Sequence, residues 1–106
     1  MSVVAPFVPL FAALGDDTRW SILAALGEGD ASASGLARRL PVTRQAIAKH
    51  LAFLEEVGLV ESRQVGRELT YRALGARLSE AARQLDAIGA QWDRRLAMIK
   101  QIAEGL

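Results

Sequence analysis

The chain has 106 residues, 51% of them hydrophobic and 24% charged, with a formal net charge of +1. That length holds one domain, and that composition folds, so a second core and a disordered tail are both excluded. With no cysteine, disulfides, thiolate metal sites and thiol redox switching are excluded too, and a cytoplasmic location is the default expectation. No apolar run reaches the roughly 20 residues of a membrane-spanning helix. The apolar stretch Val3–Leu14 has no basic residue ahead of it and no small-residue cleavage pattern after it. It reads as a helix or an oligomer face, not a signal peptide.

Phe7, Leu10, Phe11 and Leu14 recur at helical spacing, which predicts a first short helix over about 6–14. Pro6 and Pro9 lie near its start, where a missing N–H costs little. Gly15 breaks it, and Asp16 caps a second helix with Asp17 in its positive first turn. That helix carries Trp20, Ile22, Leu23 and Leu26 and ends around Gly27–Gly29. A third helix is capped by Ser32 or Ser34 and runs through Leu36 to Leu40. Pro41 and Val42 make a tight turn, and Thr43 caps a fourth helix from Arg44 to about Val57, stopped by Gly58. Two short helices around such a turn form a helix-turn-helix over about 32–57.

Past Gly58 the period changes to that of strands, over Leu59–Val65 and Glu68–Ala73, with Gly66-Arg67 as a two-residue hairpin turn. A hairpin at 59–73 directly after a helix-turn-helix is a wing. The last third predicts one helix over about 78–103. Its Leu78, Ala82, Leu85, Gly89, Trp92, Leu96, Ile99 and Ala103 step by four and three, the seam of a helix that packs along another. The expected fold is mainly α with a small β-hairpin, one winged helix-turn-helix domain of four helices, a hairpin and a fifth helix.

Charge follows this division. Between Arg38 and Arg72 there are seven basic residues (Arg38, Arg39, Arg44, Lys49, Arg63, Arg67, Arg72) and four acidic ones (Glu55, Glu56, Glu61, Glu68). Collecting one sign of charge in one segment suits a phosphate-facing surface. On the fourth helix Ile47, Leu51 and Leu54 share a face that must be buried, while Gln45, Lys49, Ala52 and Glu56 lie opposite. Gln45 and Lys49 sit in the N-terminal part, which reaches base edges in a major groove. Glutamine pairs with adenine and lysine with guanine, and the small Ala46 and Ala48 let the backbone sit deep. Against this stands the reading of an ordinary solvated face, which the turn, the wing and the local charge outweigh. Arg67 projects from the wing tip with Arg63 and Arg72 on the flanking strands, and Tyr71 is either core or contact. His50, the single histidine, lies at the edge of the buried stripe with no His or Cys to join it at a metal. It reads as a packing residue or a phosphate contact.

Leu14-Gly15-Asp16-Asp17-Thr18-Arg19 with Ile22-Leu23, then Thr43 through Leu51 with Leu54 and Gly58-Leu59-Val60, then Gly66-Arg67-Glu68 with Tyr71-Arg72, resemble in order the opening, recognition helix and wing of the ArsR family. The likeness runs without gaps over about Leu10 to Leu74, and the last helix is compatible with it. The resemblance implies a dimer built by the first and last helices, a pseudo-palindromic operator, and repression by occluding a promoter. It implies DNA contacts at Arg44, Gln45, Ala46 and Lys49 with Arg67 in the wing, and Thr43 and Arg63 complete the expected set. The chain departs from the common pattern at Asp17, where proline is usual, and at Arg44, where an uncharged residue is usual. It also has Ser32-Ala33-Ser34-Gly35-Leu36 where metal-sensing members carry a cysteine motif. Its last helix has Asp86 and Asp93 but no histidine, so a metal-independent member with no cofactor is expected.

The expected partners are a double-stranded DNA operator and a second copy of the chain, with no membrane and an unknown inducer. The dimer face should comprise Phe7, Leu10, Phe11, Leu85, Gly89, Trp92, Leu96 and Ile99, because so small a chain cannot bury them all. The alternative is a winged-helix module for protein–protein contact that binds DNA weakly and without sequence preference. An enzyme is not expected: the lone histidine has no motif partner, and there is no phosphate-cradling glycine loop.

Overall fold

Three side-chain caps start the helices of the first half. The computed structural model describes residues 7–105; Pro6 and the start of the apolar stretch at Val3 lie outside them. Helix α1 covers Val8–Leu14, with Pro9 in its first turn. Helix α2 covers Asp17–Glu28, and the Asp16 carboxylate accepts the Thr18 amide at 3.4 Å. Helix α3 covers Ala33–Arg39, where the Ser32 hydroxyl accepts the Gly35 amide at 3.1 Å. Helix α4 covers Arg44–Glu56, and Thr43 Oγ1 accepts the Ala46 amide at 3.1 Å. Each cap satisfies one of the amides that a first helical turn leaves without a partner.

The exit of α4 is set by glycine. Gly58 has φ +82°, its amide donates to Glu55 O at 3.1 Å, and the Leu59 amide donates to Leu54 O at 2.9 Å. This is a Schellman ending, in which a left-handed residue closes the helix and two apolar residues meet across it. Leu54 and Leu59 are both fully buried. The chain then enters strand β2, Val60–Val65, turns at Gly66 (φ +63°), and returns as β3, Glu68–Ala73. Only the first of the two turn residues has positive φ, the pattern of a type II′ hairpin turn.

The sequence reading lacks one strand. Ala31–Ser32 form β1, pairing antiparallel with β3 (Ala31 opposite Tyr71, Ser32 opposite Thr70), so the sheet order is β1-β3-β2. The wing is thereby hydrogen-bonded to the residue that caps α3. Helix α5 starts earlier than expected and runs Gly75–Glu104, 30 residues. The Leu74 amide donates to Leu59 O at 2.9 Å, fixing its departure point from the sheet.

The core takes Leu10, Ile22, Leu36, Ile47, Leu51, Leu54, Leu59 and Val60, each less than 2% exposed. Full burial of a side chain of this size contributes roughly 1.5–3 kcal/mol. One expectation changes here: Phe7 and Leu10, expected on an intermolecular face, are both buried inside the single chain, and the Phe7 ring lies 4.9 Å from the Arg77 guanidinium. Of the apolar residues named on α2, Ile22, Leu23 and Leu26 are buried and Trp20 is 60% exposed. Of α5, only Ala81 is buried, and the helix projects from the body to give a longest dimension of 69 Å.

Candidate nucleic-acid interface

The outward face of α4 presents Arg44, Gln45, Ala48, Lys49 and Ala52, all exposed, while Ile47, Leu51 and Leu54 turn inward with no exposed area. One amphipathic period therefore both anchors the helix and aims its polar residues. Thr43 is exposed and its oxygen is engaged as the cap, which leaves the hydroxyl proton free to donate outward. Ala46 is half-buried on the flank.

The wing stands beside this face. Ser32, Ser34, Arg44, Gln45, Arg67 and Tyr71 are among the residues that line one cleft of about 410 Å³ between α4 and the hairpin. The cleft brings Arg44, Gln45 and Arg67 together from separate elements. Lys49 and Arg63 lie outside it, on the exposed faces of α4 and β2. Among the described residues, Arg44, Lys49, Arg63 and Arg67 form no ion pair, whereas Arg72 is 3.5 Å from Glu61 and Arg39 is 2.7 Å from Glu28. Arg44 and Arg67 meet at the cleft, which Glu68 also lines, while Arg63, opposite Thr70 in the register, lies on the other face of the sheet from Tyr71; a net charge of +1 conceals this local distribution.

One side-chain hydrogen bond ties the wing to the helix. Ser62 Oγ donates to Glu55 Oε1 at 2.7 Å, joining β2 to the last turn of α4. Tyr71 is half-buried at the back of the cleft. Its burial, and secondarily the negative Glu55, push the phenol pKa above its ordinary value, so the hydroxyl stays protonated and able to donate.

His50 is half-buried, with Nδ1 4.0 Å from Asp16 Oδ2. It faces the start of α2, so neither a phosphate contact nor simple packing describes its setting fully. Among the described residues no group of three or more His, Cys, Asp or Glu side chains is placed to hold a metal ion, and no helix is long and apolar enough to cross a membrane. The residues of the α5 seam are open in the single chain: Leu85, Trp92, Leu96 and Ile99 are each more than half exposed. Nothing approaches within 4 Å of a Cβ placed at Gly89. Phe11 is half-buried.

Sequence reasoning missed Ser34 and Arg19. Ser34, expected only as a candidate cap, lines the cleft. Arg19 lies outside the basic segment and reaches α4 only through the fold.

A helix-turn-helix domain family matches residues 14–63. An ArsR-like transcriptional regulator of known structure from Rhodococcus sp. RHA1 is 63% identical, with a TM-score of 0.89 over 100% of this chain and 99% of that one. The HTH-type transcriptional regulator Rv2034 of Mycobacterium tuberculosis is 34% identical over 92 residues, 87% of this chain and 83% of the relative. The uncharacterized HTH-type transcriptional regulator YuzN of Bacillus subtilis is 46% identical over 72 residues, 61% of this chain and 75% of the relative. The family match takes in α2 to α4 and stops within β2, before the wing turn, while the Rhodococcus structure matches over the whole chain. The chain belongs to the ArsR-type winged helix-turn-helix transcriptional regulators, which bind DNA and are not enzymes.

Proposed function

We propose that this protein is a homodimeric, metal-independent repressor that binds a pseudo-palindromic operator, including one in its own upstream region. In this reading Gln45 and Lys49 contact base edges, Thr43, Arg44, Arg63 and Arg67 contact phosphates, and Ala46 packs at the groove floor. Repression follows by occlusion, since a dimer seated across a promoter excludes the polymerase.

The observation that carries the reading is the exposed α4 face beside the wing, with Arg44, Gln45 and Arg67 around one cleft. Dimerisation is supported by the bare apolar stripe on α5, where Trp92 and Leu96 are 58% and 57% exposed; contiguous exposed apolar surface of that kind marks an interaction site. Phe11 is the α1 residue available to extend it, since Phe7 and Leu10 are already used inside the chain. A two-fold dimer sets its two reading helices about 34 Å apart, one DNA turn. Metal independence is supported by the absence of cysteine and the single histidine.

Footprinting on the DNA upstream of the protein's own coding sequence, paired with transcription in vitro, tests this. The expected result is a protected pseudo-palindrome overlapping the promoter and reduced transcript. Protection with increased transcript would make the protein an activator. Weak binding with no preferred sequence would favour a protein-contact module.

A further inference from the structure

The Arg19 side chain touches both the end of α1 and the outer flank of α4. Its Nε donates to Ala13 O at 2.8 Å and its Nη2 to Ala12 O at 3.4 Å. These are last-turn carbonyls of α1, where a cation also complements the helix dipole. Its Nη1 lies 3.8 Å from Asp16 Oδ2, and its guanidinium carbon stands 4.7 Å from the centroid of the Phe53 ring. Asp16 Oδ2 in turn is 4.0 Å from His50 Nδ1. Two α4 residues one turn apart, His50 and Phe53, are thus held by one guanidinium–carboxylate pair at the α1–α2 corner.

We propose that Arg19 is a positioning residue for DNA reading: with Asp16 it sets the rotation of α4 relative to α1, and so the angle at which a dimer presents its two reading helices. The proposal rests on the reading of the protein as a dimer whose interface involves α1 and α5.

The inner face of α4 is Ile47, Leu51 and Leu54. Their burial decides which side of α4 faces out, but apolar contact is non-directional and leaves the last few degrees of rotation to contacts that have a direction. The Arg19 contacts are directional, because a planar guanidinium donates in fixed directions and stacks flat on a ring. Phe53 is four residues beyond Lys49, its neighbour along one helix face. A rotation that moves the ring therefore moves Lys49 by a similar arc. Position of the bases along the groove is set by half-site spacing, so an error in this angle appears as a loss of spacing discrimination.

The test uses the full chain and a duplex selected by the wild type from a random-sequence pool, with a second duplex carrying one base pair inserted between half-sites. The insertion rotates the half-sites by about 35°. Arg19→Ala is expected to remain dimeric, to bind random DNA within about twofold of wild type, and to lose about tenfold on the selected duplex. Its discrimination against the inserted duplex should shrink. Arg19→Lys keeps the charge but loses the fork and the stacking, so it should behave like Arg19→Ala. Phe53→Leu, at a residue 36% exposed, keeps apolar bulk without a ring face and should show the same loss of discrimination, which covers the case where Arg19→Ala fails to fold. Full spacing discrimination in a folded, dimeric Arg19→Ala or in Phe53→Leu overturns the proposal, as does equal loss on random and selected DNA. A wild-type chain that sediments as a monomer instead removes the dimer reading, and this proposal with it.

Discussion

Ser32 stands opposite Thr70 in the sheet, while its hydroxyl accepts the Gly35 amide to begin α3. One residue ends the strand that anchors the wing and starts the first helix of the helix-turn-helix. Ser32→Ala should lower stability by about 1 kcal/mol, and Ser32→Gly by only a few tenths. Denaturant unfolding would show the midpoint falling with an unchanged slope. An unmoved midpoint for the alanine variant would mean the cap contributes nothing.

Gln45 and Lys49 project from the exposed side of α4. If they read bases, replacing either with alanine costs about 1–3 kcal/mol on the selected operator and little on random DNA. Fluorescence anisotropy on both duplexes separates the cases. Equal losses would reassign the side chains to the phosphate backbone.

Arg67 sits at the hairpin turn without an ion-pair partner among the described residues. A phosphate contact there releases counterions, so Arg67→Ala should reduce the slope of log affinity against log salt by about one unit. An identical slope would take the wing tip out of the interface.

Trp92 is 58% exposed on α5 and Leu10 is 1% exposed in the core, so their substitutions should separate assembly from folding. Trp92→Glu is expected to leave a folded chain that sediments as a monomer and binds the operator poorly. Leu10→Ala should instead cost about 2–5 kcal/mol of stability. A Trp92→Glu protein that stays dimeric in the ultracentrifuge would place the interface elsewhere.

Tyr71 is the only tyrosine, so its ionisation can be followed by the ultraviolet phenolate band. Burial first, and Glu55 second, raise its pKa in the folded chain. The folded value then exceeds the unfolded one, so this group's contribution to stability is complete below the unfolded pKa. It is lost as pH rises through the folded value. The phenolate should form at higher pH than in a free tyrosine peptide, and Glu55→Gln should bring the midpoint part of the way down. A midpoint equal to that of the free peptide would show the ring to be solvated.

Local signals located most of this fold. Asp16, Ser32 and Thr43 are short polar residues ahead of apolar periodic runs, and each caps the helix that follows it. Among the described residues, Gly58 and Gly66 mark the two left-handed positions. Strand β1 was not legible, because two residues carry no period and their partners Thr70 and Tyr71 are distant in sequence. The start of α5 was also blurred, since Gly75 and Ala76 give no apolar stripe to read. In the site, the wheel of α4 separated Ile47 from Lys49, but a wheel cannot report which neighbour covers a flank. The setting of His50 and the reach of Arg19 therefore needed the tertiary arrangement. Phe7 and Leu10 are expected outward because so small a chain cannot bury all of its apolar residues, and apolar spacing does not say which of them the core takes.

Helix α5 leaves most of its apolar stripe uncovered in a single chain. Closing that stripe with a second copy, as proposed, makes completion of the structure a bimolecular event governed by mass action. The DNA-competent species would then grow with the square of the monomer concentration while monomer predominates. Gene output would respond to the protein's abundance with a threshold, and dilution alone, at cell growth or division, would release the promoter.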